Sequence, residues 1–243
     1  MLQLSASEFI HTDQAGDNVG FSCPVCGASS RFHIAGSLSE CSDCLHIFQT
    51  DLNVTASYDA DYAHQYDHRP VQEMSELRWD FIQSHLKLPR GSRILDVGYG
   101  NGAFLKHARS VGMDIYGIDL HTEDFGVPVV HLGTEIHFDI VCFFDSLEHF
   151  PNLRPILNLR TENVIVSIPN TPSWLMSKPH AWRHYKPGEH LHYFSRRSLD
   201  NFMSAWGFGV KRADGYPEDS LRGKLNIGGQ VVDNIYTAIY TRI

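Results

Sequence analysis

Three groups of residues in this chain have the types and spacing to do chemistry. The first is Asp96-Val97-Gly98-Tyr99-Gly100-Asn101-Gly102, set between the apolar stretch Arg93-Ile94-Leu95 and the amphipathic run Ala103-Phe104-Leu105-Lys106-His107-Ala108. A glycine turn between strand and helix lets backbone approach a ligand closely and aims free N–H groups at it. The next apolar stretch, Asp114-Ile115-Tyr116-Gly117-Ile118, ends at Asp119, an acid placed to accept both hydroxyls of a ribose. The second group is Cys23-x2-Cys26 and Cys41-x2-Cys44. The third comprises Asp145-Ser146-Leu147-Glu148-His149 and Glu189-His190-Leu191-His192.

Gly98-x-Gly100-x-x-Ala103 satisfies the permissive dinucleotide pattern, so a nicotinamide-dependent oxidoreductase stays in contention at this point. Two details favour a different ligand: Asp96 precedes the first glycine by two residues, and the third glycine falls at Gly102. S-adenosylmethionine carries an ammonium and a sulfonium but no phosphate, and carboxylates near the turn suit it where they would repel a pyrophosphate. The expected cofactor-binding set is Asp96, Gly98, Tyr99, Gly100, Gly102, Asp119, Leu120 and Asp145.

Two-residue spacers let both sulfurs of a cysteine pair face a metal from one tight turn, and Cys23, Cys26, Cys41 and Cys44 complete a tetrahedral zinc site. Short strands at Arg31–Ile34, Ser39–Glu40 and Leu45–Phe48 would make the surroundings a zinc ribbon. Two disulfides or a redox C-x2-C are the alternatives, disfavoured in a reducing compartment and without a thioredoxin-like pattern. Four protein ligands leave no open coordination position, so the zinc is expected to be structural. Cys142 lies in an apolar run and reads as core.

Methyl transfer to a hydroxyl needs alignment of acceptor and donor and removal of the acceptor's proton, a task that suits histidine near pH 7. His190 is the first candidate base and His149 the alternate, with His192, Asp145 and Glu148 completing the expected catalytic set. The competing reading is that these groups pack and hydrogen-bond to fix a loop. The aromatic and basic segment from Thr171 to Gly188 has the character of an acceptor-recognition loop, and Arg183, Tyr185 and Lys186 suit an anionic group.

Positioning these groups takes an α/β fold. Strands are expected at Arg93–Gly98, Asp114–Asp119 and Phe138–Phe144, with helices over Gln72–Leu86 and from Gly102. If a helix starts at Asp145, then Asp145, Glu148 and His149 share one face. Ser195 reads as an N-cap with Phe194 and Leu199 at staple spacing, and Gly207 as the helix end. Phe208–Lys211 and Asn234–Tyr240 read as a closing antiparallel pair that ordinary dinucleotide folds lack. The expected organisation is a zinc ribbon over 1–50, a helical linker or lid over 51–90 carrying Tyr58, Tyr62, Tyr66 and His64, and the cofactor-binding domain over 91–243.

From Cys23 to about Gly215 the chain resembles the class I methyltransferases, more closely those grouped with ubiquinone-biosynthesis O-methyltransferases and bacterial sugar or glycan methyltransferases, several of which begin with a C-x2-C zinc module. The resemblance rests on Leu95 to Gly102, Gly117-Ile118-Asp119, Phe138-Asp139-Ile140-Val141, Leu147-Glu148-His149, Ile168-Pro169-Asn170 and Glu189 to Ser195. It implies a Rossmann-like sheet and S-adenosylmethionine as cofactor. Ubiquinone-type relatives have an E-x-x-E-H version that holds a divalent ion. Asp145 stands here for its first Glu, which makes Asp145, Glu148 and His149 a candidate second metal set. The chain departs from the family in the short stretch from Asp119 to Phe138, where Val129-Val130-His131 is the only strand candidate, and in lacking a Gly-Gly turn between Pro151 and Asn163.

Composition sets the remaining bounds. The formal charge of −8, with only 20 Lys and Arg among 243 residues, disfavours phosphate backbones, so nucleic acid is not the expected partner. No apolar run reaches the roughly 18 residues of a membrane span, and the first residues lack the pattern of a signal peptide, so a cytoplasmic, soluble enzyme is expected. The reading is O-methylation of a small molecule, preferably a carbohydrate or sugar nucleotide. A ribosomal-RNA-type methyltransferase and a non-catalytic ribbon-based binding module are the alternatives.

Overall fold

The computed structural model describes residues 10–11, 20–33, 38–51, 70–120 and 124–243. The tyrosine stripe Tyr58, Tyr62 and Tyr66, with His64, lies outside them. Along the chain the elements used below are β1 (Ser30–His33), β2 (Leu38–Cys41), β3 (Ile47–Gln49), α1 (Val71–Leu86), β4 (Arg93–Val97), α2 (Ala103–Ser110), β5 (Asp114–Ile118), β6 (His137–Phe144), β7 (Arg160–Pro169), β8 (His192–Tyr193), α3 (Arg196–Ala205), β9 (Phe208–Gly215) and β10 (Ile235–Arg242). Among the described residues no helix is long and apolar enough to cross a membrane.

The chain forms two compact units, and neither is continuous in sequence. One gathers 1–56, 148–153 and 170–206, the other 57–147, 154–169 and 207–243. Three consecutive blocks were expected. The ribbon instead shares its unit with two later segments, because β8 pairs antiparallel with β3, Tyr193 opposite Ile47 and His192 opposite Phe48.

The larger unit is built on a six-stranded sheet in the order β9-β10-β7-β6-β4-β5. The last four run parallel, while β10 runs antiparallel to both β9 and β7, the closing pair read from the sequence. The β4 register sets Asp96 against Gly117 and Cys142, and Val97 against Ile118 and Phe143. The carboxyl ends of β4, β5 and β6 therefore align, where ligands of parallel sheets bind. Ile94, Phe104, Leu105, Ile115, Ile140 and Cys142 pack one core with Trp79 and Ile82 of α1. Each such side chain contributes about 1.5–3 kcal/mol through burial. The buried stripe of α1 is Ser75, Trp79 and Ile82, and the helix stops at Lys87 in a left-handed conformation. The third-strand candidate is reduced to a single bridge, Gly117 to Val129. Between β6 and β7 only short 3-10 turns occur, at Leu147–His149 and Arg154–Asn158. The surface helices of the fold are thus trimmed.

In the smaller unit the sheet order is β8-β3-β2-β1. The two cysteine turns have the same build: Gly27 N–H donates to Cys23 O at 2.9 Å, and Leu45 N–H to Cys41 O at 3.1 Å. The residue after each pair is left-handed, Gly27 at φ 77° and Leu45 at φ 59°. Helix α3 starts as expected, Ser195 Oγ accepting from Ser198 N–H and Ser198 Oγ accepting from Ser195 N–H. Phe194 and Leu199, at staple spacing, are both buried.

Candidate functional site

The glycine turn lies at the carboxyl end of β4. Gly98 (φ 80°) is held by its N–H to Ile118 O at 2.7 Å, and Gly102 (φ 69°) by its N–H to Tyr99 O at 2.9 Å. A Cβ on Gly98 would collide with Ser146, and one on Gly102 with the Phe125 ring. Ser146 Oγ in turn donates to Val97 O at 2.5 Å, so the end of β6 locks against the turn. Asp119 Oδ2 accepts from Gly100 N–H at 2.8 Å, which fixes this acid beside the turn. Tyr99 is buried and packs edge-on to Phe125 and over Gly117, a bracing role; Leu120 is 80% exposed.

Asp96 is 2% exposed, and its Oδ1 is buried without a hydrogen-bond partner. Burial pushes its carboxyl up to about 7, aided by Asp119 and opposed by Arg78. A buried acceptor beside a glycine turn and a ribose-type acid fits S-adenosylmethionine, whose ammonium would supply the donor. A pyrophosphate would add negative charge next to Asp96. Among the described residues, Asp96, Asp119 and the turn fit the methyl donor better than a dinucleotide.

Asp145 departs from its expected setting. No helix starts there: the residue is left-handed (φ 53°), which costs about 1–3 kcal/mol in a non-glycine residue. Its Oδ2 accepts from Arg78 Nη2 at 3.2 Å and Arg222 Nη1 at 2.6 Å, and both arginines also bind fully buried Glu218, Arg78 Nε at 2.8 Å and Arg222 Nη1 at 3.0 Å. Removing one partner from such a network costs about 3–5 kcal/mol. Two arginines pair with Asp145 in this cluster, whereas the Glu148 and His149 ligand atoms converge with that of His190. Arg78, Glu218 and Arg222 escaped the sequence reading. Arg78 is one polar residue of an amphipathic helix, and Glu218 and Arg222 lie outside every motif.

The four cysteine sulfurs converge, Cys23 to Cys44 and Cys26 to Cys41 at 3.5 Å and Cys26 to Cys44 at 3.6 Å. A tetrahedron of 2.3 Å zinc–sulfur bonds has edges of about 3.7 Å. Backbone N–H groups of Val25 and Asp43 point at Cys23 and Cys41 Sγ at 3.4 Å, the donors a thiolate cluster needs. Without a cation, burial and the neighbouring sulfurs push the Cys26 thiol up to about 11. A bound cation reverses that balance. The four residues fit a structural zinc.

The histidines sort into two sets. His149 and His190 pack edge to face with ring centroids 4.7 Å apart, and His184 stacks on His190 at 6.2 Å. Glu148, His149 and His190 each offer a ligand atom, all within 4.8 Å of one another. His190, not Asp145, is thus the third member of the metal-capable set. Leu191 N–H donates to Glu148 O at 2.8 Å, and Leu191 O accepts from Gln49 N–H at 2.9 Å, which ties both segments to β3. His192 belongs elsewhere: its Nε2 lies 2.9 Å from Phe150 O and its Nδ1 3.0 Å from His46 Nε2. Burial pushes its pKa down to about 4. Lys186 is likewise engaged, its Nζ 2.6 Å from Glu189 Oε1, and Arg183, though exposed, donates from Nε to His184 Nε2 at 3.3 Å.

Comparison with known proteins agrees with this geometry. A ubiquinone biosynthesis O-methyltransferase of Azoarcus sp. (strain BH72) is 32% identical over 117 residues, 38% of this chain and 50% of that protein. The chain thus spans about half the length of the curated relatives it matches. Among solved structures, the 1,6-didemethyltoxoflavin-N1-methyltransferase of Burkholderia thailandensis, bound to 1,6-didemethyltoxoflavin and S-adenosylhomocysteine, superposes with TM-score 0.55 at 15% identity, over 83% of this chain and 97% of that one. A SAM-dependent methyltransferase from Archaeoglobus fulgidus gives 0.51 at 17% identity, over 74% and 98%. The Rossmann-like methyltransferase fold expected from the sequence is therefore the fold of this chain. The family model described as "Methyltransferase domain" matches residues 62–212, more than half of the chain, and the chain belongs to that family.

Proposed function

We propose that this chain transfers the methyl group of S-adenosylmethionine to a hydroxyl of a small molecule, preferably a carbohydrate or sugar nucleotide. The observation that carries the reading is the buried, unsatisfied Asp96 carboxylate beside the glycine turn and Asp119, a set that asks for a cationic ligand bearing a ribose. Bound there, the cofactor supplies an electrophilic sulfonium methyl. The chain supplies the rest: Asp119 for the ribose, Asp96 for the ammonium end, and His149 with His190 to accept the acceptor's proton. The O-methyltransferase relatives support oxygen as the methylated atom, and exposed Arg183 offers one contact for an anionic group. Net charge of −8 keeps a nucleic-acid acceptor in second place.

Calorimetric titration of zinc-loaded protein with S-adenosylmethionine is the direct test. One-to-one binding is expected, and no binding by folded protein, or tighter binding of NAD, overturns the proposal. A pH series adds a sharper outcome. Asp96 is protonated below about 7 in the free protein, and only its carboxylate attracts an ammonium, so cofactor affinity is expected to rise about tenfold from pH 6 to pH 8. For the free chain the sign is opposite: the raised pKa contributes stability below about 4 that is lost as pH climbs through about 7. Asp96→Asn should flatten both profiles.

The same geometry favours one second reading. Two histidines and a carboxylate suit a divalent transition ion, and Glu148, His149 and His190 fit one. In that case both histidines are ligands and neither is the base. Metal analysis separates the two: one equivalent of zinc per chain supports the proton-acceptor reading, and a second equivalent lost in Glu148→Gln overturns it.

A further inference from the structure

We infer that His46 and His192 form a tie that sets the positions of His149 and His190, so that the ribbon acts on the reaction through these two rings. The inference rests on the reading of His149 and His190 as the groups that accept the acceptor's proton.

The donors and acceptors in this tie follow a single order. Phe150 O can only accept, so the proton on His192 sits at Nε2, the atom 2.9 Å away. The ring is 1% exposed, and a single ring proton at Nε2 leaves Nδ1 bare. Nδ1 must then accept, and the atom 3.0 Å from it is Nε2 of His46, which is fully buried. One sequence results: His46 Nε2–H to His192 Nδ1, then His192 Nε2–H to Phe150 O. The rings of His46 and His192 lie edge to edge and nearly coplanar, with centroids 5.2 Å apart and 25° between their planes.

The consequence lies in what Phe150 adjoins. His149 sits between two carbonyls, Glu148 O and Phe150 O, and both are held by the segment that carries His190. Leu191 N–H takes the first at 2.8 Å and the His192 side chain takes the second at 2.9 Å. The 148–150 and 190–192 segments are therefore stitched on both sides of His149, with the His149 and His190 rings 4.7 Å apart. The Leu191 bond is backbone and survives any substitution short of proline, whereas the Phe150 bond depends on one side chain. His46 fixes the rotamer and tautomer that side chain needs. His192 and His46 are thus positioning residues, two steps and one step removed from the ribbon's sulfurs at Cys44.

Full-length, zinc-loaded His192→Phe keeps the ring volume and removes the Nε2–H. Its turnover number should fall about tenfold, with cofactor affinity unchanged, and His192→Gln, which restores an N–H donor, should recover most of the loss. Long-range 1H–15N spectra of the histidine rings give the independent readout: His149 and His190 signals should move in His192→Phe and return in His192→Gln. Unmoved signals in folded His192→Phe overturn the tie even if His149→Ala and His190→Ala abolish turnover. Signals that move without any change in turnover keep the tie and overturn the proton-acceptor reading instead. Should His192→Phe not fold, the wild-type spectrum decides, since His192 must appear as the neutral Nε2–H tautomer and the Nδ1–H form overturns the tie.

Discussion

His149→Ala and His190→Ala are each expected to lower turnover by about 10²–10⁴-fold, the range general bases supply. The magnitude follows from the chemistry. A hydroxyl is a poor nucleophile until its proton has a place to go, and a water molecule in the emptied space is a weaker and less oriented acceptor. The two rings touch edge to face at 4.7 Å, so the losses should be non-additive, and the double variant should fall little below the worse single one. Cofactor affinity should stay within about twofold, because the cofactor-type residues Asp96, Asp119 and Gly98 to Gly102 are other groups on other elements. If both single variants turn over normally, neither histidine is the base.

Removing the zinc is expected to have the second large effect. The ribbon's own core is small, Cys23, Cys41, Cys44 and Phe48 with Phe21, Val25 and Ala28 against it. That is too little apolar surface to order the strands, whereas structural zinc supplies about 10–16 kcal/mol at neutral pH. Cys41→Ser, at a fully buried ligand, or exhaustive chelation should therefore abolish hydrogen-exchange protection in β2, β3 and β8. Loading must displace thiol protons, so chelation should succeed more readily as pH falls. Undiminished protection in β3 and β8 of metal-free protein would show that the sheet holds without the ion.

Where chemistry is written in local spacing, the sequence was readable. The glycine turn, the cysteine turns and the Ser195 cap each depend on residues within one or two turns of chain, and each appears where its pattern lies. For Asp145 and His192 the motifs named the segments but not the partners: Arg78 and Arg222 for one and His46 and Phe150 for the other lie far along the chain, where spacing cannot show the pairing. His190 replaces Asp145 beside Glu148 and His149 because the chain turns through a left-handed residue at 145 instead of starting a helix, a backbone choice that residue types do not announce. The division into units was hidden for the same reason, since it hangs on a strand of two residues, His192–Tyr193.

That short strand also constrains how the protein can be made. Gln49 meets Tyr193 144 positions further along the chain, with all four parallel strands encoded between them. The ribbon's three strands are made before their partner, so their sheet stays one edge short until the 192–193 segment has emerged. Closing a loop of that length is slow, and an open edge is a template for pairing with another nascent chain. Early metal capture by the cysteine turns would hold that edge in a defined form while it waits, so yield is expected to depend on zinc supply during translation as well as in the finished protein.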